Sequence, residues 1–183
     1  MTTKMMNREE SGQALVELSF VLVILCVFVF GIIDFGRAIY DVQVMKNLVG
    51  EGSSMASRTT PITTAVATVV GDAGHDLNMS TSGCVMITQV TNEGSGSLQV
   101  TAQSSGGGIS CTSRVGCLSG QGSCRNSSAT LPTAAVNALN AEVTGSSIYV
   151  TEIFYNFQTI TPVTGLLGRS GVLPSQLYSV AYY

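Results

Sequence analysis

Tryptophan is absent from this 183-residue chain, and histidine occurs once, at His75. Charge is scarce as well. Asp, Glu, Lys and Arg together make up 10% of the residues, against about 25% in an ordinary soluble domain. The eight Lys and Arg form no cluster, and the formal net charge is −3. Without a basic patch the chain cannot neutralise a phosphate backbone, so no nucleic-acid partner is expected. His75 has no Ser, Cys or Asp constellation of the kind that triad or dyad chemistry requires, and it reads as a surface or structural residue. The chain therefore reads as a non-enzyme with no catalytic set, no metal set and no cofactor.

Apolar residues are plentiful, at 45%, and part of that content is concentrated near the N-terminus. Phe20 to Ile33 is a continuous apolar run, with Gly31 its only weak member. A bilayer needs about 20 helical residues, and extending the run back to Ala14 supplies them while including Glu17 and Ser19. Two other readings compete: a cleaved secretory signal, and a buried core helix. A signal peptide needs a small-x-small cleavage site after its apolar region. The nearest candidate, Gly36-Arg37-Ala38, has an arginine at its centre. The helical period also continues past the run. Ala38/Ile39, Val42, Met45, Val49, Gly52 and Ala56 mark one face, and Arg37, Asp41, Asn47, Glu51, Ser54 and Arg58 mark the other. One helix is thus expected from near Gly12 to near Ser57, apolar all round in its first half and amphipathic in its second.

An acid inside an apolar span costs about 2.5 kcal/mol or more and usually marks a function or a partner. Here Glu17 stands five residues after Gly12, in Gly12-Gln13-Ala14-Leu15-Val16-Glu17. A short polar leader, a glycine, then an apolar helix with Glu at its fifth position is the class III signal pattern of type IV pilin-like precursors. Its chemistry is direct. Glycine before the scissile bond lets the backbone enter a tight protease site, and cutting there frees an amino group on Gln13. The Glu17 carboxylate of a neighbouring subunit would offset that cation and fix axial register, the best-attested use of a buried ion pair. Lys4 and Arg8 precede the span and favour a cytoplasmic leader, since the acids Glu9 and Glu10 count little in that rule.

The stretch Gly12-Gln-Ala-Leu-Val-Glu-Leu, the apolar run, and then Gly31-Ile-Ile-Asp-Phe-Gly-Arg-Ala resembles the TadE-like family, the minor pilins or pseudopilins of tight-adherence pilus systems. Glu51-Gly52 and Ala56 resemble the end of that family's helix, and the region from Tyr155 through Thr161-Pro162 to the last strand resembles its terminal β-region more weakly. The resemblance implies cleavage between Gly12 and Gln13 and an assembly role for Glu17. It maps Asp34 and Arg37, three apart on the helix and close enough to pair, onto the family's Asp-Phe-Gly-Arg segment, where they read as a juxtamembrane polar collar. Glu9-Glu10 departs from the basic leaders of the family. Implied partners are a prepilin peptidase, other pilin subunits, the inner-membrane pilus assembly machinery, and membrane lipid before assembly. The implied location is a single-pass inner-membrane protein with its C-terminal domain extracytoplasmic, and afterwards an extracellular pilus. Whether the subunit is major or minor stays open, with the large exported domain favouring minor. The competing functional reading is an uncleaved membrane-tethered binding module.

Beyond the helix, Cys84, Cys111, Cys117 and Cys124 form an even set suited to two disulfides in an oxidising compartment. Their C-x5-C-x6-C spacing lacks the C-x2-C of zinc sites, and the pairing is undetermined by sequence. Thr60-Pro61 breaks the long helix, and Thr64 to Leu77 reads as a short one. Cys84–Thr91 and Ser97–Gln103 read as a hairpin, with Leu98, Val100 and Ala102 on one face. Ser104 to Ser128 reads as a disulfide-held loop. Pro132 to Val143 reads as a helix capped by Thr130, with Ala135, Ala138, Leu139 and Val143 inward. Ile148–Thr159 and Gln176–Tyr183 read as strands, and Pro162 to Pro174 as a loop. The expected architecture is α+β: a leader over 1–12, a long helix over 13–57 (membrane-spanning over 13–33, amphipathic over 34–57), and a disulfide-stapled extracytoplasmic domain over 58–183 with an antiparallel sheet and short helices.

Overall fold

A computed structural model describes residues 6–58, 60–73, 77–94, 96–118, 128–161 and 174–183, with the backbone alone over 6–11. His75, Cys124 and most of the expected 162–174 loop lie outside the described residues. The first element is a helix, α1 (Met6–Ser57). It ends where the proline break was expected, but it begins six residues before Gly12, so the leader joins the helix. Then follow α2 (Ile62–Ala73), the short α3 (Met79–Ser82), β1 (Gly83–Asn92), β2 (Leu98–Gly107), α4 (Thr133–Ala141), β3 (Ser147–Asn156) and β4 (Gln176–Tyr182). The chain divides into two compact units, Met1–Ile39 with Gln158–Leu173, and Tyr40–Phe157 with Pro174–Tyr183.

The second unit is built on one antiparallel sheet in the order β2-β1-β3-β4. β1 is central, and its first eight residues are buried except Gln89, the seventh. That burial requires a layer on each face. On one face lie α2 and the last turns of α1. Ala65, Val66, Val69 and Ala73 are buried on α2, and Met45, Leu48, Val49, Ser53 and Ala56 on α1. Gly52 lets α1 approach closely, because a Cβ there would stand 3.0 Å from the Thr151 methyl and 3.1 Å from Val69. Thr151 is fully buried, and its hydroxyl is a buried atom with no hydrogen-bond partner among the described residues. Asp41, expected on the solvent side of α1, is instead buried at 5% exposure. Hydrophobic period alone does not anticipate a polar residue on the packed face.

The other face carries a second core of Val90, Leu98, Val100, Val115, Leu139 and Val150, joined by Val136, Leu131 and Val180. It is roofed by α4 and the loop after β2. A register shift at Gln89/Val90 pairs Ala102 with Gln89 and Val100 with Val90. A bulge of this kind moves a residue off its alternation, so Ala102 does not share the face of Leu98 and Val100 as expected. β2 also runs four residues past the expected Gln103. At its end Gly107, with φ of 128°, passes the β1 backbone so closely that a Cβ would collide with the Gly83 carbonyl.

The phase of α4 differs from the expectation. Leu139 is buried, but Ala138 and Val143 are exposed. The N-cap is Pro132, without a side-chain bond. Thr130 does not cap; its amide donates to the Val115 carbonyl and ties the loop instead. Buried Asn92 donates from Nδ2 to the Leu139 carbonyl at 3.0 Å, so the β1–β2 turn satisfies the end of α4.

Candidate functional site

Three groups of residues bear on function. The first is the apolar half of α1. It is long and apolar enough to cross a membrane, and none of its most apolar stretch is buried. Leu15, Val16, Leu18 and every residue from Phe20 to Leu25 are exposed, as are Phe28, Ile32 and Ile33. Exposure all round distinguishes this segment from a core helix, which hides at least one stripe. Ser19 removes its own polarity by donating to the Val16 carbonyl at 2.7 Å, the standard way for a hydroxyl to sit in an apolar helix. Gly12, Gln13 and Glu17 are all exposed on this helix. Cys26 is a free, half-buried thiol.

The second group is the collar. Asp34 follows the apolar run directly and is 3% exposed. Its Oδ1 accepts the Ile160 amide at 3.2 Å, and its Oδ2 accepts the Thr161 hydroxyl. Arg37 donates from Nη1 to the Gln158 carbonyl at 3.5 Å. Both collar residues are thus engaged with one distant segment, 158–161.

The pattern of the TadE-like protein family matches residues 12–54. The N-terminal segment is TadE-like. The matched span runs from the glycine before the acid-bearing apolar stretch to the turns of α1 that pack on the sheet. The TadE-like segment therefore contains Gly12, Gln13, Glu17, Asp34 and Arg37, while the cysteines other than Cys26 fall beyond it. No curated protein and no solved structure matches the chain.

The third group lies in the domain, where disulfides were expected but the network around Glu152 was not anticipated from sequence. Cys84 on β1 is bonded to Cys111, with the Cα atoms 6.1 Å apart. Cys117 is disulfide-bonded too. The expected disulfide staple is therefore present on the loop, and among the described residues no three His, Cys, Asp or Glu converge as a metal site. Two residues past Cys111 the same loop reaches Glu152 of β3, which is fully buried. Glu152 accepts the Ser113 hydroxyl, the Arg114 amide at 3.0 Å and the Tyr178 hydroxyl at 2.8 Å. The Arg114 guanidinium lies 4.0 Å from the centre of the Tyr178 ring, a cation–π distance. Burial first, then the hydrogen bond to Glu152, pushes the Tyr178 phenol well above its ordinary range. Burial, with Glu152 behind it, also raises that of Tyr182. Gln103 adds a fourth tie, donating to the Thr88 hydroxyl and to the Gly116 carbonyl. The arrangement ties the loop to the sheet. Its donors and acceptors are spent on one another, which is what a clamp between loop and sheet requires.

Proposed function

We propose that the protein is a pilin-like structural subunit of a tight-adherence type IV pilus, processed by a prepilin peptidase between Gly12 and Gln13 and assembled through its apolar helix. One observation carries the reading: the TadE-like match begins on a helix whose first half is apolar all round, with none of its most apolar stretch buried. Such a surface needs lipid before assembly and other helices after it. The domain hung beyond it has two packed faces and a stapled loop, so its polar groups serve the fold. The role is non-catalytic. Glu17 then offsets the new amino terminus of a neighbouring Gln13 and sets register.

N-terminal sequencing of the native protein tests this reading. A mature chain beginning at Gln13 supports it, and Gly12→Phe should leave the leader attached. Glu17→Ala should be cut normally and give few or no pili by electron microscopy. An intact leader on the native protein would favour an uncleaved tether. Normal piliation with Glu17→Ala would remove the register role.

A further inference from the structure

The collar contains an apolar residue with no packing role. Asp34 is the first polar residue after the run that ends at Ile33, and it holds the main chain of Ile160 and the hydroxyl of Thr161. Arg37, three residues further on, holds the carbonyl of Gln158. The segment therefore descends along α1, from the level of Arg37 to that of Asp34, towards the apolar run. A helical turn rises about 5.4 Å, so the Ile160 amide is fixed within about one turn of Ile33. Yet the Ile160 side chain is 71% exposed. On the helix, Ile32, Ile33, Phe35 and Ile39 are exposed as well. Single exposed apolar residues are ordinary on a soluble surface. Here they continue an apolar surface that already needs lipid. Residues 158–161, Gln-Thr-Ile-Thr, carry no charge. The Asp34 carboxylate is wrapped by the segment and kept off the outer surface.

We propose that residues 158–161 form a second membrane-contacting element, clamped by Asp34 at the bilayer surface so that Ile160 enters the acyl boundary beside the helix. The proposal rests on reading residues 13–33 as a bilayer span. Lipid is the occupant because the exposed surface is continuous with the lipid-facing side of that span, and because the segment brings no charge that would resist the transfer.

The absence of native tryptophan gives a direct test. Three full-length single-tryptophan proteins, Ile24→Trp, Ile160→Trp and Val143→Trp, are reconstituted at low density in phosphatidylethanolamine/phosphatidylglycerol vesicles with brominated acyl chains. All three positions are exposed, so the substitutions leave packing intact. Ile24→Trp should be quenched by bromines deep in the chains. Ile160→Trp should be blue-shifted and quenched by bromines near the headgroups. Val143→Trp should be unaffected. Adding Asp34→Ala should abolish the shallow quenching of the Ile160→Trp protein and leave the deep quenching of the Ile24→Trp protein in place. If Ile24→Trp is quenched while Ile160→Trp behaves like Val143→Trp, the second contact is overturned and the span stands. If Ile24→Trp is also unquenched, the span falls, and the proposal with it. Shallow quenching that persists with Asp34→Ala overturns the clamp.

Discussion

Glu152 is the residue on which the domain's second face depends. Its carboxylate meets three donors from two directions, the 113–114 loop and β4. Removing it takes the acceptor from a hydroxyl, an amide and a phenol in a part-buried place. Losing such a network costs about 1–3 kcal/mol. Glu152→Ala should therefore lower the unfolding free energy, read from urea titration of detergent-solubilised protein, by that amount, and Glu152→Gln, which keeps the shape and one acceptor, by less, about 1 kcal/mol. An alanine variant as stable as the parent would show that the network contributes nothing. In the sequence Glu152 sits in Ile148–Thr159, read only for its β-branched and aromatic content. An acid at an alternating position of a strand gives no sign of whether its face is solvated, because that depends on a loop some forty residues earlier. The expectations for Gly12 and Glu17 are of the opposite kind, since they rest on local spacing alone.

At the scale of elements, α1 shows what periodicity can and cannot settle. The burial of Met45, Val49, Gly52 and Ala56 follows from their recurrence every three or four residues. The burial of Asp34 does not, since it depends on groups brought in from elsewhere, Ile160 and Thr161. Likewise a bulge displaced Ala102, and α4 turned Val136 rather than Ala138 toward the core, because both elements are short and their phase is set by neighbours. Gly52 is a point of close helix–sheet approach. Gly52→Val should cost about 1–3 kcal/mol through overpacking against Thr151 and Val69. Gly50, two residues away, has nothing within 4 Å of its missing Cβ, so Gly50→Ala should be neutral or stabilise by up to about 1 kcal/mol. Equal unfolding midpoints for the two variants would contradict the packing described here.

For the whole molecule, the disulfides stand in for charge and core area that the chain lacks. The Cys84–Cys111 bond spans 27 residues, and constraining a loop of that order contributes about 3 kcal/mol. Replacing both cysteines by serine should lower stability by roughly that amount, whereas Cys26→Ser should leave the unfolding midpoint unchanged. Non-reducing peptide mapping should recover a Cys84–Cys111 peptide and an alkylatable Cys26. The sheet order adds a consequence in time. Cys84 and Cys111 flank the β1–β2 hairpin, while β3, which carries Glu152, and then β4 come later in the chain; β3 must insert beside β1 on its other edge and β4 beside β3. Local contacts form before distant ones. A chain synthesised from its N-terminus can therefore be oxidised as a hairpin before the partner strand exists. The covalent staple acts as a template for the sheet, and an oxidant that arrives late meets a loop already committed to its place.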